Sequence, residues 1–215
     1  MDDLIPRLRN EFLLIFSPEH LEFRFMRKTA VGTILLLFIA LSTVALNSQS
    51  VDISAVAAAG AVSENKYTNS FFKLTVDAHN ATLKLNPLIN TSGKRARLMQ
   101  ALAPNANREA AWSFAVLADS LSIYPQLQSS AQYVRSVRHQ LEKQGLSTER
   151  EEFPITIAGA QFTGAIMQEP EPSGLKHYRG FYSTFLEGYI LSFDAEASSE
   201  NRLDDLVTRI VTFTK

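Results

Sequence analysis

The chain has 215 residues, of which 46% are hydrophobic and 20% charged, with 21 basic against 22 acidic side chains. This composition predicts a packed core and excludes wholesale disorder, collagen-like repeats and low-complexity sequence. The net charge of −1 lacks the positive excess that is typical of a general nucleic-acid binder. Because the chain has no cysteine, disulfide scaffolds, thiolate metal sites and thiol nucleophiles are excluded as well.

An uncharged apolar run near the N-terminus indicates where the protein resides. Residues 29–51 carry no charge, and Arg27 and Lys28 precede them. A secretory signal typically has a basic cluster, a short apolar core and small residues at positions −3 and −1 of the cleavage site. Here Thr43 and Ala45 could occupy those two positions. The run is also long enough to cross a hydrocarbon core of roughly 30 Å as a retained anchor, and a buried core helix is a third interpretation. In the first two, the preceding positive charges place residues 52–215 outside the cytoplasm.

These features divide the chain into four predicted parts. Residues 1–25 form a short N-terminal extension, or they follow an upstream start at Met1 that is not used, in which case Met26 is the true start. Residues 26–46 are a signal peptide or transmembrane anchor. Residues 47–63 are a tether that does not pack with the domain, or part of the signal if cleavage falls near Ala59. Residues 64–215 form an exported α+β domain.

The first half of that domain is predicted to consist of strands. Residues 67–76 are rich in aromatic and β-branched side chains, and residues 81–85 alternate polar with apolar, so each predicts a strand. After a break around residues 87–93, the segment 94–103 fits either a short helix running into a strand or a strand alone. Residues 112–117 are apolar on both faces, which predicts a central strand.

The second half begins with the clearest helix signal. Ser129 starts a capping pattern and Gly145 ends the helix. Residues 153–167 then predict a hairpin that turns at residues 158–160. Glu187-Gly188 predicts a second, two-residue turn. Pairing across that turn places Phe185 opposite Ile190, Thr184 opposite Leu191, Tyr182 opposite Phe193 and Arg179 opposite Glu196.

The last element is a helix opened by Ser198 or Ser199, followed by a closing strand at residues 211–214. Four apolar side chains of this helix share one face: Leu203, Leu206, Val207 and Ile210. With six or seven strands in hairpins and two helices, the predicted fold class is α+β, an antiparallel β-sheet covered by helices and preceded by an N-terminal apolar signal or anchor helix.

The order of elements carries a family resemblance. The chain opens the domain with segment 67–72, continues with a long helix around residues 133–141, and reaches the hairpin 178–194 before a Ser-capped helix. In this order of elements it resembles exported bacterial proteins of the PsbP-like, also DcrB-like, α/β/α sandwich type. The resemblance covers residues 64–214. It implies a fold that serves as a non-catalytic binding or assembly module in or on the cell envelope, and no functional residue is transferred from it.

Catalytic and nucleotide-binding motifs are missing from the sequence. There is no G-x-S-x-G, H-E-x-x-H or S-x-x-K, and the glycines form no phosphate-binding loop. Asp77 and His79 could reach one ion from a strand, but an exposed strand end explains them. Asp194 and Glu196 share a strand face, and pairing of Glu196 with Arg179 explains them as a solvated ladder. We therefore predict no catalytic residue, no metal site and no cofactor.

Three basic features are candidates for binding. Residues 94–97 could contact an anion, and a helical face predicted to point outward carries Arg135, Arg138, His139 and Lys143. The preferred patch is Lys176, His177, Tyr178 and Arg179, because it begins a strand beside a long loop, and loops concentrate binding.

The sequence thus predicts an exported, periplasmic or extracellular, envelope-associated binding or assembly protein without catalytic activity. Its expected partner is another envelope protein or envelope component, with contact to the membrane through residues 29–51 if the signal is uncleaved, and no nucleic acid. Two alternatives stay open at this stage: an exported hydrolase whose site is assembled from distant residues, and a single-span, membrane-anchored structural protein.

Overall fold

The structure, a computed structural model, describes residues 52–79, 81–85, 87–103, 111–170 and 176–214. The predicted extension at residues 1–25, the signal or anchor at residues 26–46 and the first part of the tether lie outside the described residues. Within the ranges just given, no helix combines the length and the apolar character that a membrane span requires.

The described part of the chain contains three α-helices, one short 3-10 helix at Leu121–Ile123, and twelve β-strands. The helices are α1 (Ile53–Ala58), α2 (Ser130–Lys143) and α3 (Glu200–Ile210). The strands are β1 (Gly60–Ser63), β2 (Lys66–Asn69), β3 (Leu74–Asp77), β4 (Thr82–Lys84), β5 (Leu88–Ile89), β6 (Arg95–Ala103), β7 (Trp112–Ser120), β8 (Ser147–Ile157), β9 (Ala160–Glu169), β10 (His177–Leu186), β11 (Tyr189–Ala197) and β12 (Val211–Phe213).

The strands form two antiparallel sheets. In the large sheet the order is β4-β6-β7-β11-β10-β9-β8, and β5 also pairs with β6. In the small sheet the order is β1-β2-β3-β12. The predicted fold class of antiparallel strands with covering helices is therefore present, although one small sheet and several short strands were not predicted.

The two longer helices cover opposite faces of the large sheet. Tyr133 of α2 contacts Phe181 of β10, whereas Tyr182, the next residue of that strand, donates a hydrogen bond to Asp204 of α3. Because successive side chains of a strand point to opposite faces, α2 and α3 lie on different sides of the sheet. The face toward α3 belongs to the main hydrophobic core, which the small sheet shares.

The hairpin of β10 and β11 has the predicted register. All four expected pairs are present, from Phe185 opposite Ile190 to Arg179 opposite Glu196. Both turn residues have positive φ, 51° at Glu187 and 81° at Gly188, as a two-residue turn between twisted antiparallel strands requires. The prediction of β7 as a central strand is confirmed too, because β7 lies between β6 and β11.

The tether prediction is wrong for the described residues 52–63. They form α1 and β1, and Ile53 of α1 is only 2% exposed. The buried Asn69 side chain donates to the backbone oxygen of Val56 at 2.9 Å, and β1 pairs with β2. Small side chains let this short helix approach the core closely, so the feature that suggested a featureless linker is what allows it to pack.

The predicted single strand 67–76 is instead a hairpin. The chain turns at residues 70–73 between β2 and β3, where Asn69 Oδ1 accepts a hydrogen bond from the Phe72 backbone N–H at 3.2 Å and Lys73 has φ of 52°. Neither Gly nor Pro marks this turn, so its aromatic residues suggested a continuous strand. The ambiguous segment 94–103 is the strand β6, with a register shift between Arg97 and Met99.

The predicted helix ends are confirmed at α2. Ser129 Oγ accepts from the Gln132 backbone N–H at 3.3 Å, and Gly145 has φ of 98° just beyond the helix. At α3 the four predicted apolar residues are buried, while the N-cap Ser199 makes no side-chain capping bond. The closing strand β12 pairs with β3.

Candidate functional site

The preferred patch of the sequence lies at the beginning of β10, where alternation divides it between the two faces of the sheet. Lys176 is exposed, and His177 is half-buried. Tyr178 is buried in the main core, on the face that α3 covers. Arg179 is buried on the opposite face, together with His177. The patch is therefore not one continuous surface.

Arg179 forms a buried ion pair with Asp194 of the neighbouring strand β11. Its Nε donates to Oδ1 at 3.0 Å and its Nη2 donates to Oδ2 at 2.7 Å. The Asp194 residue is only 4% exposed. Burial lowers the pKa of Arg179, but the Asp194 carboxylate more than compensates and the pKa is raised from its ordinary value. The solvated ladder between Arg179 and Glu196 is therefore wrong: the two residues are opposite in register, but the guanidinium reaches diagonally to Asp194 and the contact is buried.

Glu196 lies beside this pair, and its carboxylate is held by two other groups. Ser113 Oγ of β7 donates to Glu196 Oε2 at 2.8 Å, and His177 Nε2 is 4.0 Å from the same oxygen. Burial would raise the pKa of Glu196, but the nearby His177 and the charge of Arg179 outweigh it, so the pKa is lowered.

Glu169 completes the group, because it lies opposite His177 in the pairing of β9 with β10. Its pKa is raised, first by burial and then by the charge of Glu196. We call Ser113, Glu169, His177, Arg179, Asp194 and Glu196 the loop-end cluster. The cluster contains three carboxylates, one arginine and one histidine. Its residues come from β7, β9, β10 and β11, at the end of the sheet where β10 begins.

The helical residues predicted to bind form a second charged group on α2. Arg138 is 8% exposed, so the prediction that it points outward is wrong. It lies between two carboxylates, donating from Nε to Glu152 Oε1 at 2.8 Å and from Nη1 to Glu142 Oε1 at 2.6 Å. The salt bridge with Glu152, which is distant in the chain on β8, holds the Arg138 side chain against the sheet.

Arg135 and His139 are exposed, as predicted, but each contacts one of the same carboxylates. Arg135 Nε donates to Glu152 Oε2 at 3.2 Å, and His139 Nδ1 is 2.8 Å from Glu142 Oε2. A hydrogen bond from Thr148, followed by one from His139, lowers the pKa of Glu142 to about 2. Glu142 and Glu152 therefore offset the charges of Arg135 and Arg138, while Lys143 at the end of the helix is exposed.

The two groups occupy the same face of the large sheet. Met167 on β9 lies opposite Thr148 of β8 and also opposite Arg179 of β10. Met167 thus lies between Thr148, which contacts the helical group, and Arg179 of the loop-end cluster. The structure brings Arg138 and Arg179 to one end of the domain but not into one site.

Sequence reasoning missed several members of these groups. Glu142 was identifiable, because it follows His139 by three and Arg138 by four residues on a helix, the spacing of side-chain neighbours. Ser113, Glu152 and Glu169 come from other strands and carry no local signal. Their roles depend on strand order, which the sequence alone did not define.

A further polar group lies near the opposite end of the sheet, beneath the start of α2. Buried Asp119 accepts at Oδ2 from the hydroxyls of Tyr133, at 2.7 Å, and Tyr124, at 3.2 Å. Arg95 Nε is 3.6 Å from the same oxygen and Arg95 also donates to the Tyr124 hydroxyl. Burial raises the pKa of Asp119. Arg95, predicted as part of an anion-contacting segment, thus pairs with an internal carboxylate.

The Asp77 and His79 pair is an exposed contact at the end of β3. His79 Nδ1 is 3.1 Å from Asp77 Oδ1, and Lys66 Nζ is 3.2 Å from Asp77 Oδ2. Among residues whose placement is described, no group of three or more His, Cys, Asp or Glu side chains could hold a metal ion.

Comparisons with known proteins rest on structure alone, since no family model and no curated protein matches the sequence. Among solved structures, the chain is similar to LpqN of Mycobacterium tuberculosis, whose crystal structure is described as that of a protein involved in cell envelope biogenesis. The identity is 10% and the TM-score 0.39, over 66% of this chain and 91% of the other.

A second similar structure is a cyanobacterial PsbP from Synechocystis sp. PCC 6803, solved in solution. The identity is again 10% and the TM-score is 0.43, over 72% of this chain and 96% of the other. PsbP is also the family that the sequence pattern resembles.

Proposed function

We propose that this chain is an exported, envelope-associated protein whose α+β domain binds another envelope protein or envelope component and catalyses no reaction. The proposal has two supports: the basic and apolar N-terminal sequence, and the state of the charged groups in the loop-end cluster. The buried, paired groups of the cluster support the absence of catalysis, and the N-terminal sequence supports export.

The single observation that favours binding over catalysis is the pairing of Arg179 with Asp194. A general acid or base needs a titratable group within reach of a substrate proton. Both oxygens of Asp194 accept from Arg179, and both groups are buried. Glu196 is held by Ser113 and His177. These groups hold strands together, so they are suited to shape the end of the domain and not to exchange protons with a substrate.

The outer members of the patch are suited to contact a partner. Lys176 is exposed and His177 is half-buried, and both lie where β10 begins. Strand β10 is paired with β9 on one side and with β11 on the other, and two charged pairs also join it to β11, so these side chains have a rigid base. A rigid base reduces the entropy lost on binding, which favours recognition by a small number of side chains.

Site-specific photo-cross-linking in intact cells tests the proposal. A photoreactive residue at position 176 is expected to give a discrete cross-linked product in the envelope fraction, and one at position 73 is not. Lys73 is a matched control, because it is exposed but follows Phe72, whose ring lies 6.1 Å from that of Tyr189 at the other end of β11.

The outcomes separate the parts of the proposal. A product at position 176 that disappears in the His177→Ala variant supports binding through this end. Equal products at positions 176 and 73 would contradict the assigned surface. Turnover of any substrate in a broad hydrolase screen, lost in the Glu196→Gln variant, would contradict the absence of catalysis and favour the exported hydrolase.

A further inference from the structure

The edge of the large sheet at β4 and β5 is a surface that the proposed function does not use. In the described part of the sheet, both short strands pair only with β6. Among the described residues, the two large hydrophobic side chains that are exposed both lie here, Leu85 at 41% and Ile89 at 39%. Single exposed apolar residues are ordinary on a protein surface, whereas neighbouring ones form a patch that a partner can cover.

Leu85 and Ile89 are neighbours along this edge. Lys84, which precedes Leu85, lies opposite Gln100 of β6, and Ile89 lies opposite Ala96. Because Gln100 and Ala96 are four positions apart and a strand rises about 3.3 Å per residue, the two apolar residues lie within about 13 Å of each other. They therefore belong to one patch.

Exposed cations flank the apolar pair. Lys84 is the last residue of β4, Lys94 lies in the turn between β5 and β6, and both are exposed. The sequence contains no Asp or Glu within residues 78–108. The one charged residue of β7, the strand on the other side of β6, is Asp119, which is buried and pairs with Arg95. The edge therefore presents positive charge next to exposed apolar side chains.

The turn that carries Lys94 is held in place by Asn90. The Asn90 Oδ1 atom accepts from the backbone N–H groups of Lys94 and Arg95, each at 3.1 Å. The Asn90 backbone N–H donates to the Arg95 oxygen at 3.0 Å. Ile89 and Lys94 are thus held on either side of a fixed turn in the free protein, which reduces the entropy lost when they contact a partner.

We propose that the β4–β5 edge, with Lys84, Leu85, Ile89 and Lys94, docks on the surface of an anionic phospholipid bilayer. The lysines contact phosphate headgroups, and the two apolar side chains enter the boundary between headgroups and acyl chains. The unpaired backbone of the edge stays at headgroup level, where water and phosphate can satisfy it. The inference rests on the proposed function and deepens it, because it names this bilayer as an envelope component and assigns it a surface separate from position 176.

The edge is poorly suited to a protein partner that adds a strand. β4 has three residues and β5 has two. Pro87 between them has no N–H to donate, so an added strand would find few continuous hydrogen bonds. A second copy of the chain would bring the same lysines against each other, and facing like charges repel. An anionic bilayer needs no strand register and supplies the opposite charge.

The test places a fluorescent probe on the full chain, which has no cysteine of its own. Leu85→Cys and, separately, Ser147→Cys are labelled with an environment-sensitive nitrobenzoxadiazole dye and mixed with vesicles of phosphatidylglycerol and phosphatidylcholine in equal parts. Ser147 is the matched control, because it is exposed at the start of β8, the opposite edge of the same sheet. The emission at position 85 is expected to rise and shift to the blue, and that at position 147 to stay unchanged.

Charge variants of the chain labelled at position 85 test which cations dock. Lys84→Gln with Lys94→Gln is expected to lower the ratio of docked to undocked edge about 25-fold, because each lysine near an anionic surface contributes about fivefold. Lys143→Gln with Arg209→Gln removes the same charge from exposed positions on α2 and α3. This control should change the ratio less than about twofold, because salt screens distant charges.

Equal emission changes at positions 85 and 147 overturn the inference, and so does an equal response to vesicles of phosphatidylcholine alone. A blue shift at position 85 that needs no vesicles and grows with protein concentration overturns it as well, because it indicates a second copy on this edge. If position 85 docks but the photo-cross-link at position 176 is absent in cells, the inference holds and only the proposed partner surface is contradicted. If the cross-link is present and position 85 does not respond to anionic vesicles, only the bilayer contact is contradicted.

Discussion

Replacing Asp194 by Ala should destabilise the domain strongly, because it leaves the charge of Arg179 buried without its carboxylate. Two hydrogen bonds of 3.0 and 2.7 Å are lost, and the Arg179 guanidinium remains buried. Removing one partner of a buried ion pair costs about 3–5 kcal/mol. At about 2–4 °C per kcal/mol for a domain of this size, the expected fall in Tm is roughly 6–20 °C.

The measurement is urea unfolding of residues 50–215, the compact unit that contains all of the described strands, followed by the fluorescence of Trp112. This residue is the only tryptophan and lies partly buried at the start of β7. The free energy of unfolding of the variant is compared with that of the parent at equal m-value, so that a change in midpoint reports stability. A loss below about 1 kcal/mol, the size typical of an exposed pair, would contradict a strongly stabilising buried pair.

Arg135→Ala is the matched control, because it removes an arginine from an ion pair at the surface. Arg135 Nε is 3.2 Å from Glu152 Oε2, but the side chain is 56% exposed. Its loss is expected to cost less than about 1 kcal/mol. The double variant Arg179→Met with Asp194→Leu should recover most of the stability lost in Asp194→Ala, since apolar side chains of similar volume often replace a buried pair without cost.

Three further predictions concern the core and pH. Gly180→Ala should cost about 1–3 kcal/mol in urea unfolding, because an added Cβ would lie 2.6 Å from the hydroxyl of Tyr182, whose ring is fully buried. Ile53→Ala should cost about 2–5 kcal/mol in the same assay, and a loss under about 1 kcal/mol would restore the tether interpretation. The pKa of Glu142 is lowered to about 2 from 4.5, so its stabilising contribution is full above pH 4.5 and is lost as pH falls toward 2. In acid titrations followed by Trp112 fluorescence, Glu142→Gln should flatten that part of the stability profile, and an unchanged profile would contradict it.

The sequence predicted well those features that depend on neighbours along the chain. The turn at Glu187-Gly188 defines the pairing of β10 with β11, since two residues of positive φ leave one register for the strands that they join. The cap at Ser129 and the left-handed Gly145 likewise define α2 from short segments. In each case the decisive contacts lie within a few residues of the signal that predicts them.

The errors arise where a residue's partner is distant in the chain. The turn at residues 70–73 depends on Asn69, which also holds α1 through Val56, thirteen positions earlier. Arg138 follows the buried Val134 by four positions and precedes the buried Leu141 by three, so helical spacing places it beside the core. Its partner Glu152 of β8, fourteen positions away, has no local signal. A periodic pattern assigns a face to each side chain without knowing what the facing strand contains.

In the candidate site, too, the sequence predicts what depends on chain neighbours and not what depends on distant strands. Strand alternation alone separates Tyr178 from His177 and Arg179, so the patch 176–179 could have been divided between two faces from the sequence. The choice of Asp194 over Glu196 as the partner of Arg179 could not, because both carboxylates lie on the same face of β11 and only strand geometry decides between them. Ser113 of β7 and His177 of β10 hold Glu196 from either side, which leaves Asp194 to accept both guanidinium bonds. The partner of Arg179 therefore depends on the strand order β7-β11-β10, because that order brings Ser113 and His177 to Glu196.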